Sequence, residues 1–158
     1  MIIKYLFFIL DDKLKQVKKL FFILFITSFY CAVNAQEIGF RFGEMAGNNF
    51  AIDGTLDFKT SRLHTDISFG EGVGVDIIYD FIYKPIMQSS NIYYYVGIGV
   101  TSLIYSDFEL GATGEAGIEM RFKSIPFVLG LDYRPSIIVV GNTDFHWNGF
   151  GLNMRYVF

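Results

Sequence analysis

One cysteine, three prolines, one tryptophan and two histidines are all that this 158-residue sequence holds of those types. A lone cysteine, Cys31, excludes an intrachain disulfide and any multi-cysteine metal centre. Scarce proline beside 16 glycines and 18% aromatic residues suits many short strands joined by tight turns. The histidines, His64 and His146, are the only imidazoles available to a catalytic site. Lysine is nearly absent after residue 35, where only Lys59, Lys84 and Lys123 occur. Residues 36–158 carry eight Lys+Arg against 14 Asp+Glu, a net charge near −6. That balance excludes a nucleic-acid partner on electrostatic grounds. No apolar run reaches the roughly 20 residues that a spanning helix needs.

The longest apolar run is Leu20–Val33, and it follows a basic cluster of Lys13, Lys15, Lys18 and Lys19. Val33-Asn34-Ala35 then places small residues at −3 and −1 before Gln36. Basic, apolar and small-residue segments in that order define a cleavable secretory signal peptide over residues 1–35. Phe29 and Tyr30 are too bulky for Cys31 to lie in a lipoprotein cleavage site. Residues 1–12 hold a second apolar patch that fits a start codon assigned too early. The domain organisation is a signal peptide over 1–35 and one β-domain over 36–158.

The β-domain alternates with period 2, the signature of strands with two unlike faces. Eight runs are predicted: Glu37–Met45, Phe50–Phe58, Arg62–Phe69, Val73–Tyr83, Ile92–Tyr105, Phe108–Phe122, a seventh from Pro126, and Gly149–Phe158. Pro135 and the apolar stretch Ile137–Val140 obscure where the seventh ends, and Gly141–Asn148 reads as the longest loop. One face of each run is apolar, for example Val75, Ile77, Tyr79, Phe81 and Tyr83. The other face is small or charged, for example Gly111, Thr113, Glu115, Gly117, Glu119 and Arg121.

Three features favour apolar side chains on the outside. The polar face is mostly Gly, Asp, Thr and single arginines, whereas water-facing surfaces carry about 25–35% mixed charged residues. Lys59, Lys84 and Lys123 lie at the second, fourth and sixth connections, which share one end of an up-and-down barrel. Aromatics of the apolar face gather near run ends (Phe50, Phe58, Phe69, Tyr83, Tyr94, Phe108, Phe122, Phe127, Tyr133, Phe150 and Phe158), as interfacial girdles require. The expected fold class is all-β, an eight-stranded antiparallel transmembrane β-barrel. Lipid offers the backbone no hydrogen bonds, so spanning strands must close on themselves.

The last run carries a resemblance. Phe150, Leu152, Met154, Tyr156 and Phe158 alternate with Gly151, Asn153, Arg155 and Val157. This resembles the closing strand of small outer-membrane β-barrel proteins of the OmpA/OmpX type, and the likeness covers residues 36–158. It implies a bacterial outer-membrane location in a Gram-negative envelope, contact with outer-membrane lipids, and recognition of those five aromatic and apolar residues by the barrel-assembly machinery. It implies a monomer with a structural or surface-contact role, no open pore and no cofactor.

Within such a barrel the expected lumen ion network is Arg41, Asp76, Asp80, Glu115, Glu119, Arg121, Asp132, Arg134 and Arg155, with further acids at Glu37, Asp53, Asp57, Asp66 and Glu109. Arg62 lies near a run end, and His64 is able to add charge. Acids outnumber bases, so several should lie near the mouths or beside lumen water and the rest pair with arginine; the sharper expectation is a cation site or proton relay around Asp76, Asp80, Glu115 and Glu119. Phe145, His146 and Trp147 form an aromatic segment in the last outer loop: a contact site, or, for Trp147, part of the outer girdle. The alternatives are a lipid-modifying barrel enzyme and a secreted soluble β-barrel that binds an apolar ligand. For the enzyme, His64 with Ser68, or His146 with Ser106 and Asp107, are the available pairs. The His-x-Ser segment of outer-membrane lipid A deacylases is absent, since His146-Trp147-Asn148 departs from it at the serine position.

Overall fold

Alternation does fix strands here. A computed structural model describes residues 37–158 except 106 and 142. The signal-peptide reading of residues 1–35 lies outside these described residues. Every described element is a β-strand: β1 (Glu37–Met45), β2 (Asn48–Phe58), β3 (Ser61–Gly70), β4 (Val73–Pro85), β5 (Ile92–Ile104), β6 (Phe108–Arg121), β7 (Phe127–Tyr133), β8 (Ser136–Val140), β9 (Phe145–His146) and β10 (Phe150–Val157). Successive strands pair antiparallel from β1 to β7, and β7 pairs with β10. β10 then pairs with β1 from Gly43↔Gly151 to Glu37↔Val157, so the sheet closes. β7 and β8 are two parts of one staved strand, because both pair with β6. The result is an eight-strand antiparallel barrel.

Pro135 explains the break between β7 and β8. Proline has no N–H to give to the ladder and is confined to breaks or edges. Its carbonyl still accepts from Gly114 N at 2.9 Å, so the contact with β6 continues across the interruption. The supposed loop Gly141–Asn148 contains β9, which pairs Phe145 with Ile137 and His146 with Ser136. The hairpin thus extends past the proline on both sides.

Connections are tight. Ala46 and Gly47 have φ of 48° and 96° between the paired residues Met45 and Asn48. Positive φ at both central positions is the hairpin turn that matches strand twist. Ala46 takes that conformation against its steric preference, which costs about 1 kcal/mol or more. Ala46→Gly should therefore raise the unfolding midpoint slightly, measured by urea titration of the folded barrel. Lys59 and Lys123 fall at the β2–β3 and β6–β7 connections and Lys84 is the penultimate residue of β4, all at the same end as Glu37 and Val157. Glu44, Glu71, Asp107 and Asp144 lie at the opposite end. The lysines are segregated as the spacing predicted.

Burial is inverted relative to a water-soluble barrel. The inward positions include Glu37, Arg41, Asp53, Arg62, His64, Asp80, Glu119 and Arg155, all buried. The outward positions include Phe42, Ile67, Ile77, Tyr79, Ile98, Ile118, Leu131 and Leu152, all exposed. Polar inside and apolar outside is the arrangement expected of the alternating runs.

Tyr83 is the exception. The sequence places it outward with Phe81, but it is buried. The ladder shifts register between Asp80↔Gly97 and Ile82↔Val96. One extra residue there reverses the side-chain parity beyond it. Tyr83 consequently belongs to the interior, not to the outer girdle. Other aromatics of the outer face cluster at both rims. Phe42 and Phe69 flank Phe50 at one end, with centroids 5.4 and 6.4 Å away. Phe127, Tyr156 and Phe158 form a chain at the other, with centroids 5.6 and 5.2 Å apart.

An eight-stranded barrel has room for side chains and little else. Glycines make that room where a large neighbour crosses. A Cβ on Gly117 would lie 2.3 Å from the ring of Tyr95, its direct partner on β5. A Cβ on Gly151 would lie 2.4 Å from the Arg41 guanidinium carbon. Gly117→Val should overpack the interior and cost about 1–3 kcal/mol or prevent closure. Loss of the compact, unboiled gel species is the readout.

Candidate functional site

The interior ion network is the candidate site. Its inward carboxylates are Glu37, Asp53, Asp57, Asp66, Asp76, Asp80, Glu115, Glu119 and Asp132, and its guanidiniums are Arg41, Arg62, Arg121, Arg134 and Arg155. Nine acids against five arginines leave an excess of negative charge. Charges removed from water must be paired and hydrogen-bonded to be tolerated.

Near the end that holds Glu37 and Val157, Glu119 is the hub. Its Oε2 accepts from Arg62 Nη1 at 2.7 Å and from Arg155 Nη2. Its Oε1 accepts from Tyr83 Oη at 2.8 Å and from Arg121 Nη1 at 3.2 Å. Arg155 also donates through Nε to Glu37 at 2.8 Å and through Nη1 to Asp53 at 3.0 Å. It thus joins β1, β2, β6 and β10, including the two strands that close the sheet. Arg121 donates to Glu37 and Asp57. Arg62 donates to Asp80 at 2.9 Å and lies 4.3 Å above the Tyr95 ring. Cation–π contact of that kind gains strength when water is excluded.

Towards the other end, Arg134 donates to Glu115 at 2.9 Å and to Asp66. Arg41 holds Asp132 with two donors, at 2.9 and 2.5 Å, and Asn153 donates to the same carboxylate at 2.8 Å. Arg41 also reaches the carbonyls of Glu44 and Gly149, both at 3.2 Å. These carbonyls lie just beyond the last β1–β10 pair, so Arg41 satisfies backbone that the ladder leaves behind. His64 links the two groups. Its Nε2 is 2.6 Å from Asp53 Oδ1 and its Nδ1 is 3.2 Å from Glu115.

Eight of the nine residues expected in the lumen network are brought together: Arg41, Asp80, Glu115, Glu119, Arg121, Asp132, Arg134 and Arg155. Asp76 faces inward and is buried, but it makes no ion pair among the described residues. Glu37, Asp53, Asp66, Arg62 and His64 are full members, although the sequence reading put them in the lumen without a role in the network. Their inward parity was the available signal. Tyr83 was hidden by the bulge, and Tyr95 and Asn153 lacked any charge to mark them.

The strand-10 residues Phe150, Leu152, Met154, Tyr156 and Phe158 all point outward and are exposed. Phe145 and Trp147 are exposed, and His146 is half-buried with Asp144 4.0 Å away. His146 stands opposite Ser136 in the β8–β9 ladder, and its ion-pair neighbour is Asp144. His64 faces carboxylates, and Ser68 accepts from Asn48 at 2.9 Å. Ser106 lies outside the described residues.

No family model, curated protein or solved structure matches the chain. Its closed barrel is of the kind expected from the alternating runs.

Proposed function

We propose that the chain is an outer-membrane β-barrel protein with no open pore, serving envelope integrity or surface contact. The observation that carries this reading is the inversion of burial: charge inside, aliphatic and aromatic side chains outside. In water the outer face would expose a continuous apolar surface far larger than monomeric soluble proteins tolerate. In lipid the same face is solvated, and closing the ladder pairs the first strand with the last, as spanning strands require. Strands of 9–14 residues from β1 to β6 suit a tilted crossing, which needs roughly 9–11. The interior is filled by paired side chains, which argues against conduction. It is also too charged to take an apolar ligand, which disfavours the soluble binding barrel.

The test is fractionation of cells that express the full chain, followed by gel mobility with and without boiling in detergent. Recovery with outer membranes and a boiling-dependent shift are expected. Recovery in the soluble periplasm with no shift would overturn the reading.

A further inference from the structure

His64 lies where the two halves of the interior network meet. The imidazole is fully buried between two carboxylates, with Nε2 on Asp53 and Nδ1 facing Glu115. Asp80 approaches from the neighbouring strand, and His64, Asp80 and Glu115 each offer one ligand atom, all within 4.8 Å of one another. Arg62 takes Asp80 Oδ2, and Arg134 takes Glu115 Oε1. Asp80 Oδ1 remains buried with no hydrogen-bond donor. With Nε2–H given to Asp53, Nδ1 faces the Glu115 carboxylate at 3.2 Å in a place closed to solvent, where it holds either a second proton or a metal cation.

We propose that His64 Nδ1, Asp80 Oδ1 and the Glu115 carboxylate bind a divalent first-row transition metal ion of the zinc class. One nitrogen and two carboxylate oxygens form a ligand set that zinc accepts, whereas calcium and magnesium prefer oxygen alone. Asp53 is then the outer carboxylate that fixes the ring, as is usual for metal-bound histidine. The ion offsets part of the interior's surplus of carboxylates and ties β3, β4 and β6 together, so its binding energy is folding energy. Arg134 Nη2 lies 3.0 Å from Nε2 and 3.3 Å from Nδ1, and its charge moderates the affinity.

The site is buried, so metal is supplied during refolding of the chain in detergent micelles. The His146→Ala background removes the half-buried second histidine and makes the remaining imidazole signals unique to His64. After removal of excess metal, one Zn2+ per folded chain is expected, and Co2+ should give the visible absorption of a low-coordinate nitrogen–oxygen site. The 15N resonance of His64 Nδ1 should take a metal-bound position with Zn2+ and lose it after refolding with a chelator. Asp80→Asn should lower the retained metal at least tenfold in protein that still shows the boiling-dependent shift, and Asp144→Asn should not. Folded protein without metal, a protonated Nδ1 in both preparations, or retention unchanged by Asp80→Asn would each overturn the site. Should Asp80→Asn fail to fold, the nitrogen spectrum of the His146→Ala protein decides alone. These readouts are made in detergent, so they can fail while the membrane location stands, and the reverse.

Discussion

Replacing Arg155 with leucine should destabilise the folded barrel by about 3–5 kcal/mol, the usual cost of removing one partner from a buried ionic group. The physical reason is what the change leaves behind. Arg155 is the shared donor of Glu37, Asp53 and Glu119, all buried. Leucine restores packing volume but no positive charge, so carboxylates in a place without water lose their compensation. Arg121 and Arg62 still contact Glu37 and Glu119, which is why the barrel should remain foldable. Urea unfolding of the refolded chain measures the loss. Asp76→Asn is the matched control. Asp76 stands directly opposite Asp66 on the neighbouring strand and has no ion pair among the described residues. Like charges facing each other across a ladder are unfavourable, so Asp76→Asn should leave stability unchanged or raise it. A large loss from Asp76→Asn with none from Arg155→Leu would show that the network is not organised as described.

How much of this was legible in the sequence depends on whether the period-2 rule held locally. From Glu37 to Asp80 the parity of each run predicted the facing of nearly every side chain, because the ladder registers β1–β5 run with few interruptions. The rule failed at Phe81, where a single inserted residue moved Tyr83 from wall to interior and supplied Glu119 with its phenol donor. A bulge has no reliable composition signal, so alternation extrapolated across it gives the wrong face. The β7–β8 interruption was visible in outline, since Pro135 marked it, but the return strand β9 was not. Two residues of pairing are too short for a periodic signal. For the site, parity gave membership of the interior but could not give partners. Arg41 meets Asp132 and Arg155 meets Asp53 across strands distant in sequence. Such pairs are set by closure of the sheet, and closure is a property of the whole register. Asp76 shows the converse: inward parity does not guarantee a cation.

Ile98→Lys should separate a lipid-facing wall from a water-facing one more directly than any interior substitution. Ile98 lies at the middle of β5, points outward and is 63% exposed. It pairs with Tyr79 and Gly114, so a longer side chain meets no buried neighbour that would confuse the result. If the outer surface faces hydrocarbon, lysine near the midplane should cost about 2–4 kcal/mol, and the loss should be read as a lower urea midpoint for the barrel refolded into phospholipid vesicles. The cost should shrink at a rim position such as Phe127→Lys, where the ammonium reaches water within its own length. A soluble barrel would behave in the opposite way. There, lysine on an exposed strand position would be nearly neutral to stability at either height and would improve solubility. The depth dependence is therefore the decisive quantity. It arises from the dielectric gradient of a bilayer and from nothing in the barrel's own contacts, so a gradient between positions 98 and 127 would place the wall in a membrane, and equal small effects at both would put it in water.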